Sequence, residues 1–555
     1  MPGTLFNLST VFDTVARTVP EQEVLVWRDR RLRYRDVNAR ADGVANYLVS
    51  RGLGCWSERG ELPGHESHQS HIGLYLRNGN EYLESMVAAY RARAVPFNVN
   101  YRYVAEELHY LLADAGTRGL IYHAEFAPQV AALRDRLPGP DVLLQVADDS
   151  GNDLVPGAID YEEAVRTRAP DRMPDPGGED TYAIYTGGTT GMPKAVLWRQ
   201  HDIYLRAMGG TPFGTKQPYS CYEEIAAAAR DAAGGLTFLM TAPFIHGAAQ
   251  WSAFHMITTG GKIVLPADNT RLDWDDALHV AARERVVSLP VIGDAMTRPM
   301  LDAIERGGHD LSELAAVNNG GAPLTPAVRN RVLEVLPDVL LLDAVGSSET
   351  GIQMNHVSAA DAEADTAVFA PDETTTVIDD DLAGELRPGG GEGWLASKGL
   401  VPLGYLGDAA KTARSFPVIG GQRYSVPGDR AVLRADGRIE LLGRAGLVIN
   451  SGGEKIFAEE VERAVAAHPA VQDVVVVGRP SARWGSEVVA LVQLDPAAGT
   501  TDADLRAECG NHIARYKQPK MFLRVPEIVR SPAGKADYRW AREQAAAGSP
   551  ATGTG

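Results

Sequence analysis

A short segment rich in glycine and threonine has the residue types needed to hold phosphate groups. It runs from Thr186 to Lys194 as TGGTTGMPK, between two apolar runs, TYAIY and KAVLW, that are typical of β-strands. Glycines let backbone N–H groups approach phosphate oxygens closely, threonines add hydroxyl donors, and Lys194 adds a positive charge. The segment is not a Walker A loop, which needs GxxxxGKS or GxxxxGKT followed by a helix. A plain hairpin turn is the alternative interpretation.

A second candidate follows the apolar strand VLLLDAV at 339–345. The residues GSSETG at 346–351 place hydroxyls and a carboxylate at the end of that strand. Glu349 is a plausible ligand for a hard cation such as Mg²⁺, because such cations prefer oxygen ligands. Taken alone, the same residues are equally typical of a helix N-cap.

Three further segments carry glycine next to charged residues. They are YSVPGD, which ends at Asp429, GRAGLVINSGGEKI at 443–456, and SPAGK, which ends at Lys535. Taken alone, Asp429 and Lys535 are more typical of exposed turns than of a site. Their order along the chain, together with the first two segments, is what supports a functional interpretation.

In that order the five segments resemble the motifs of the adenylate-forming superfamily, which includes acyl-CoA synthetases, luciferases and the adenylation domains of peptide synthetases. The resemblance covers roughly residues 5–540 and is closest to actinobacterial fatty-acyl-CoA synthetases, in the branch that takes sterol side-chain acids. It implies two half-reactions. A carboxylate attacks the α-phosphate of ATP and releases pyrophosphate, and the thiol of CoA then attacks the acyl-adenylate and releases AMP.

The resemblance also assigns a role to each candidate residue. Ser348 meets the α-phosphate, Glu349 holds Mg²⁺, and Lys535 bridges the substrate carboxylate and the α-phosphate. Gly446 is the hinge about which a small domain rotates between the half-reactions. The implied nucleotide-binding residues are Thr186, Gly187, Gly188, Thr189, Thr190, Gly191, Lys194, Gly320, Gly321, Ala322, Asp343, Val345, Gly346, Ser347, Asp429 and Arg444. Those implied for the acid and CoA are His246, Gly247, Gln250, Trp251, Gly452, Gly453 and Lys455.

Two positions depart from the family pattern. Val345 stands where an aromatic residue usually packs on adenine, and Gly446 stands where the hinge commonly has aspartate. Glycine permits the backbone change of a hinge even more freely. Without the aspartate, the hinge lacks a negative charge that could favour one of its two states.

The acid pocket is predicted from the segment PFIHGAAQW at 243–251. Small residues there and at 320–322 predict a wide pocket for a bulky apolar acid, with a polycyclic acid as the preferred class. CoA is the expected acceptor, because no carrier-protein segment follows Lys535. Three alternatives stay open: transfer to a carrier protein or a separate transferase, a non-catalytic sensor, and luciferase-like oxidation.

The elements that must position these residues alternate short apolar runs with amphipathic segments, which predicts an α/β fold with largely parallel strands. A glycine-rich stretch at about 366–443 predicts a β-rich subdomain. We therefore expect a large N-terminal domain of layered α/β sheets at 1–443 and a small, mobile α+β domain at 444–540. The small and polar residues at 541–555 predict a disordered tail.

Composition narrows the class of protein. The 555 residues include 72 acidic and 54 basic side chains, a net charge of −18, which disfavours a nucleic-acid or anionic-membrane surface. The three cysteines form no CxxC pair, and no apolar run approaches the ~20 residues that cross a bilayer. A cytoplasmic protein without a membrane span is expected, and whether it forms a homodimer is left open.

One polar insertion, at 54–71, holds His65, His68 and His71 at regular spacing. Histidines three residues apart could share a metal if they lay on a helix. The glycine, proline and serine content argues against a helix, so a solvated insertion is the favoured interpretation.

Overall fold

The computed structural model describes residues 4–548 except 61, 135, 137–140, 171, 188–191, 213, 216, 233, 322–323, 325, 359–367, 445–447 and 530–536. In its first part, helices alternate with strands as the apolar pattern predicts. The helices are α1 (Leu8–Thr18), α2 (Tyr34–Ser50), α3 (Asn80–Arg91), α4 (Ala105–Asp114), α5 (Ala127–Leu133) and α6 (Tyr161–Val165). The strands are β1 (Glu23–Trp27), β2 (Arg30–Arg33), β3 (His71–Tyr75), β4 (Val95–Asn98), β5 (Thr117–His123), β6 (Val142–Val146) and β7 (Ile159–Asp160).

The alternation continues through residues 181–358. The helices are α7 (Gln200–Ala207), α8 (Tyr222–Asp231), α9 (Gly247–Thr258), α10 (Trp274–Glu284), α11 (Gly293–Arg306) and α12 (Pro326–Val335). The strands are β8 (Thr181–Gly187), β9 (Pro193–Arg199), β10 (Thr237–Leu239), β11 (Lys262–Leu265), β12 (Ser288–Val291), β13 (Ala316–Gly320), β14 (Leu340–Ser347) and β15 (Gly351–Ser358).

Two largely parallel sheets form the body of this region. One has the order β15-β14-β13-β12-β10-β11-β1-β2, with its two edge strands antiparallel, and the other has the order β4-β3-β5-β6-β7. Every residue of β3 is buried, as expected for a parallel strand covered on both faces. The largest cluster of buried apolar residues joins strands of both sheets to α1, α2, α3 and α9. The predicted layered α/β domain is confirmed.

The β-rich subdomain predicted at about 366–443 is also present. It contains β16 (Val368–Phe369), β17 (Thr375–Ile378), β18 (Gly391–Lys398), β19 (Gly404–Tyr405), α13 (Ala409–Ser415), β20 (Val418–Ile419), β21 (Gln422–Ser425), β22 (Asp429–Leu433) and β23 (Ile439–Arg444). Its strands pair antiparallel, and β19 leaves the subdomain to pair with β9. The β8–β9 hairpin is thereby tied to the β-rich region.

A small α+β unit follows. It contains β24 (Val448–Ser451), β25 (Glu454–Phe457), α14 (Ala458–Ala466), β26 (Val471–Ser481), β27 (Gly485–Leu494), α15 (Asp502–His512), β28 (Met521–Arg524) and α16 (Tyr538–Ala547). Helix α15 is shorter than the helical pattern at 502–516 predicts, because Ile513 is extended. The unit has its own apolar core, which includes Val465, Val476 and Phe522.

The predicted disordered tail at 541–555 is wrong in its first part. Helix α16 extends to Ala547, and its Ala541 and Ala545 are buried beside Val475 and Leu491 of the small domain's sheet. Small side chains let this helix pack closely against the sheet. The alanine-rich composition, which predicted disorder, therefore belongs to a packed helix. Residues 549–555 lie outside the described residues.

Candidate active site

The phosphate-loop candidate lies in an antiparallel hairpin. Thr186 pairs with Lys194, and Gly187 pairs with Pro193, at the ends of β8 and β9. The strands predicted on both sides of the segment are therefore confirmed. The intervening candidates Gly188, Thr189, Thr190 and Gly191 lie outside the described residues.

Lys194 is held at the base of this hairpin by Asp114 at the end of α4. The lysine Nζ lies 2.6 Å from the Asp114 Oδ1, and Tyr185 donates a 3.1 Å hydrogen bond to the other carboxylate oxygen. Burial disfavours the charged lysine, but Asp114 and Tyr110 outweigh burial and raise the pKa of Lys194. The lysine is thus a fixed positive charge beside the loop. Asp114 and Tyr110 lie about 80 residues away in sequence, so no local motif could reveal them.

Ser347 ends β14, and Ser348 and Glu349 lie in the turn that leads to β15. No helix begins there, so the N-cap interpretation is wrong: Gly351 opens an antiparallel strand instead. Ser347 Oγ accepts a 3.2 Å hydrogen bond from the Glu349 N–H, and Trp198 Nε1 donates a 2.8 Å bond to the Ser348 carbonyl. The turn is therefore fixed in one conformation.

The Glu349 side chain is buried, with 9% of the residue exposed. Its Oε1 accepts a 2.8 Å hydrogen bond from Tyr405 Oη, and its carbonyl accepts a 2.5 Å bond from Ser425 Oγ. Lys411 lies over the Tyr405 ring at 3.9 Å; burial lowers the pKa of this lysine, while the Glu349 charge acts in the opposite direction. A fixed, buried carboxylate is suited to hold Mg²⁺. Sequence reasoning missed Tyr405, Ser425 and Lys411, which come from the β-rich subdomain.

The strands beside this turn carry the other nucleotide candidates. Asp343 of β14 accepts a 2.7 Å hydrogen bond from Asn319 Nδ2 of β13, and burial raises the pKa of this aspartate despite that bond. Gly320 ends β13, and Gly321 has φ +76°, which favours glycine. Val345 packs against the apolar cluster of the β-rich subdomain, and Gly346 pairs with Ile352 of β15. Ala322 lies outside the described residues.

Asp429 and Arg444 face each other as backbone register partners in β22 and β23. Their pairing places two residues predicted for ribose and phosphate at one end of the same antiparallel ribbon. The hinge candidate Gly446 and the catalytic candidate Lys535 lie outside the described residues.

A glycine turn of the small domain meets the large domain. Gly452 and Gly453 form the two-residue turn between β24 and β25, with φ +59° and +83°. A Cβ added at Gly453 would lie 2.8 Å from the Ile292 side chain, so the turn packs closely on the segment before α11. The following Glu454 lies 2.7 Å from Arg102 and 3.6 Å from His246 Nε2. Lys455 is half-buried in β25.

Charges from the large domain hold Glu454 ionised. Burial opposes its charged form, but His246 and Arg102 outweigh burial and keep the pKa of Glu454 below its ordinary value. A second contact between the domains is made by Lys517, whose Nζ lies 2.9 Å from Glu107 of α4 and 2.6 Å from Glu460 of α14. The sequence did not indicate Arg102, Glu107 or Lys517, because each contact joins distant parts of the chain.

Of the residues predicted to line the acid pocket, Gln250 and Trp251 are buried and bonded to Tyr182, whereas His246 lies near Glu454 of the small domain. Gln250 is buried and bonds with the Phe244 carbonyl at 2.8 Å and with Tyr182 Oη at 2.9 Å. Trp251 donates a 3.2 Å bond to the same Tyr182. The space beside Gly247 is occupied by the Trp251 ring, which a Cβ there would meet at 3.2 Å. Of this segment, His246 is the residue that reaches the domain boundary.

The three histidines of the polar insertion do not converge. His71 begins β3, is buried, and bonds with the Ala115 carbonyl at 2.6 Å. His68 stacks on Trp56, and His65 lies near Glu66. Within the part of the chain that the structure describes, no cluster of three or more His, Cys, Asp or Glu side chains is arranged to hold a metal.

The AMP-binding enzyme family matches residues 12–406, and the AMP-binding enzyme C-terminal domain matches residues 460–535. Medium-chain acyl-CoA ligase Mig of Mycobacterium avium is 54% identical over 98% of this chain and 99% of its own length. The 3-oxocholest-4-en-26-oate–CoA ligase of Rhodococcus rhodochrous is 37% identical over 97% of this chain and 96% of its own.

The fold agrees with solved structures of adenylating enzymes. The amide bond synthetase McbA of Marinactinospora thermotolerans superposes with a TM-score of 0.76 at 20% identity, covering 97% of this chain and 99% of that one. Among the described residues, no helix has the length and apolar character that a membrane crossing requires. Because the family match spans most of the chain in two consecutive domains, this protein belongs to the AMP-binding enzyme family.

Proposed function

We propose that this AMP-forming acid-CoA ligase acts on a bulky, hydrophobic acid of the polycyclic, sterol side-chain class. ATP, Mg²⁺ and CoA are the reactants that acyl-CoA ligases of this family use. The observation that carries the acid class is the full-length similarity to a ligase named for 3-oxocholest-4-en-26-oate.

A medium-chain fatty acid is the second candidate. The 54% identical relative is named for medium-chain acids, and it matches this chain more closely than the sterol ligase does. The Trp251 ring also fills the space beside Gly247, where the small residues predicted a wide acid pocket. Both candidates are apolar carboxylic acids, so the same adenylation chemistry applies to either one.

For the first half-reaction we assign the charge-handling residues to the two hairpins. Lys194, fixed by Asp114, lies where it can neutralise phosphate charge at the loop. Glu349, held by Tyr405, would hold Mg²⁺, which when bound offsets the negative charge of the phosphates. Ser348 would meet the α-phosphate, and Asp429 and Arg444 the ribose side. Lys535 would bridge the two reacting anions, the carboxylate and the α-phosphate.

For the second half-reaction we assign the domain boundary at His246. The Gly452–Gly453 turn and Glu454 lie against Ile292 and His246 of the large domain there, and a passage for the CoA thiol would have to open along this contact. Lys455 would flank that passage. The thiol then attacks the adenylate carbonyl, its proton leaves to solvent, and AMP departs with the bonding electrons of the broken anhydride.

The proposal also includes the domain limits, the cellular location and the oligomeric state. The family matches end at 406 and resume at 460, so the boundary at 443–446 and the hinge at Gly446 remain predictions. A cytoplasmic location is likewise proposed. Size measurement in solution distinguishes the monomer from the homodimer.

Mass spectrometry of the products tests the substrate and the acceptor together. The enzyme is incubated with ATP, Mg²⁺ and either a sterol side-chain acid or a series of medium-chain acids, with and without CoA. AMP plus the polycyclic acyl-CoA, formed only with CoA, supports the first candidate, whereas preference for the medium-chain acids supports the second. An acyl-adenylate that persists after CoA is added would instead indicate a carrier protein or a separate transferase as the acceptor.

A further inference from the structure

The polar insertion at 54–71 forms one wall of a cavity that the ligase chemistry does not use. The cavity has a volume of about 390 Å³ and lies between the insertion, the end of β9 and the β-rich subdomain. Three arginines line it, one from each of these parts: Arg59, Arg199 and Arg423. Since β9 rises about 3.3 Å per residue, Arg199 lies about 20 Å from the phosphate-loop end of that strand. The cavity is therefore separate from the nucleotide site.

The insertion is firmly packed at this position. The Gly407 N–H donates a 2.8 Å hydrogen bond to the His65 carbonyl. A Cβ added at Gly64 would lie 1.9 Å from the Leu403 carbonyl, so the two backbones touch and the position requires glycine. The wall that carries Arg59 is thus held in place by the β-rich subdomain, and the cavity is a fixed feature of the fold.

Two of the arginines bond only to neutral groups within the described part of the chain. Arg59, which is 8% exposed, donates to the Glu66 carbonyl at 3.0 Å and to Thr181 Oγ1 at 3.4 Å. Arg423 donates to the carbonyls of Pro402 and Leu403. A guanidinium carries five N–H donors, so each of these side chains has donors beyond the bonds described.

The third arginine adds to the positive charge. Arg199 is paired with Glu179 at 3.1 Å and with Asp202 at 3.5 Å, yet it still repels its neighbours. Burial is the main cause that lowers the pKa of Arg59 and of Arg423, and the Arg199 charge lowers both further. The charge of Glu179 acts in the opposite direction on Arg59, and that of Asp202 on Arg423. In a chain of net charge −18, the excess positive charge at the buried Arg59 and the half-buried Arg423 is costly without an anion.

We propose that this cavity, which we call the arginine cavity, binds a small organic phosphate. Guanidinium groups recognise phosphate oxygens with paired hydrogen bonds, and the three guanidinium groups exceed the carboxylates of Glu179 and Asp202 by one positive charge, which suits an anion. The apolar side of the cavity, formed by Leu62, Leu403 and Phe416, offers a surface for the organic part of the ligand. The volume lies within the range of small-molecule sites. This inference does not depend on the acid substrate or on the acceptor.

Ala413 provides a test that leaves the arginines intact. It lies on α13, is exposed, and lines the cavity. In Ala413→Glu the new carboxylate can pair with the arginines and exclude an anion, whereas Ala413→Gln adds the same bulk without charge. Melting temperatures are measured for the native protein and both variants in increasing inorganic phosphate, against potassium chloride of equal ionic strength. Saturating AMP is present throughout to occupy the nucleotide site.

We expect phosphate to raise the melting temperature of the native protein and of Ala413→Gln beyond the chloride control. Ala413→Glu should lose this increase and should melt at a higher temperature than Ala413→Gln without phosphate, because its carboxylate replaces the anion. Phenyl phosphate should bind more tightly than inorganic phosphate if the apolar wall contributes. A phosphate effect equal to that of chloride, or one retained in Ala413→Glu, would overturn the proposal.

Discussion

Two glutamates, one buried and one half-buried, have different surroundings in the two parts of the molecule. Glu349 lies inside the large domain and is oriented by a neutral hydroxyl, that of Tyr405. Glu454 lies at the edge of the small domain and contacts two basic side chains of the large domain, Arg102 and His246. The Glu349 carboxylate is oriented to bind a cation, whereas the Glu454 carboxylate forms ion pairs that join the two domains.

The difference has a consequence for catalysis. A carboxylate oriented inside one domain keeps its geometry whichever way the small domain is turned. A carboxylate that bonds across the boundary is in place only when the domains meet as they do here. We therefore expect Glu349 to serve the formation of the adenylate and Glu454 to serve the transfer to CoA, and the following predictions test that division.

The largest effect is expected for Glu349→Gln. Loss of the charge should weaken Mg²⁺ binding and slow adenylate formation by about 100- to 1,000-fold, by analogy with the removal of other groups that stabilise charge. Exchange of labelled pyrophosphate into ATP measures this step. Glu385→Gln, in the β-rich subdomain, is the matched control, because the Glu385 carboxylate bonds with Lys398 and Tyr424 and not with Tyr405, the partner of Glu349. A variant with normal exchange would remove Glu349 from the mechanism.

Tyr405→Phe should have a smaller effect on the same step. It removes one hydrogen bond to a charged group, which is worth about tenfold in rate, while the carboxylate keeps its charge. The expected signature is a need for more Mg²⁺ to reach half-maximal exchange. An unchanged Mg²⁺ requirement would show that the orientation of Glu349 does not depend on this tyrosine.

Glu454→Gln should slow only the transfer to CoA, by about fivefold, because partly exposed ion pairs contribute about 1 kcal/mol or less. The rate is measured with a supplied acyl-adenylate and CoA. Glu487→Gln is the control, since its partner Arg479 lies in the same small domain. An equal decrease in pyrophosphate exchange would contradict the division of roles.

The last prediction concerns a stability rather than a rate, namely its pH dependence at the Lys517 contact. Burial raises the pKa of Glu460 to about 7, although Lys517 acts against that shift. The folded protein therefore holds a proton that the unfolded chain has lost, and its stability falls as pH rises from about 4.5 to about 7. Glu460→Gln should remove this component, so the melting temperature of the native protein should fall relative to that of the variant over this range. Parallel melting curves would contradict the assignment.

Much of the architecture could be predicted from local sequence. The two strands that flank the segment before Lys194 and the strand end before Glu349 are set by runs of adjacent residues, and these strands formed as expected. Tyr405 could not be predicted, because it lies 56 residues from Glu349 and meets it only through the pairing of β19 with β9. Lys517 and Glu107 are separated by 410 residues. The close packing of α16 likewise depends on a sheet surface that no local composition reveals.

The most direct test measures both half-reactions side by side in the two glutamine variants. We expect Glu349→Gln to lose pyrophosphate exchange but still transfer a supplied acyl-adenylate to CoA, and Glu454→Gln to keep pyrophosphate exchange but transfer the acyl group about fivefold more slowly. If both variants lose the same half-reaction to the same extent, the proposed separation of roles between the interior of the large domain and the domain boundary is contradicted.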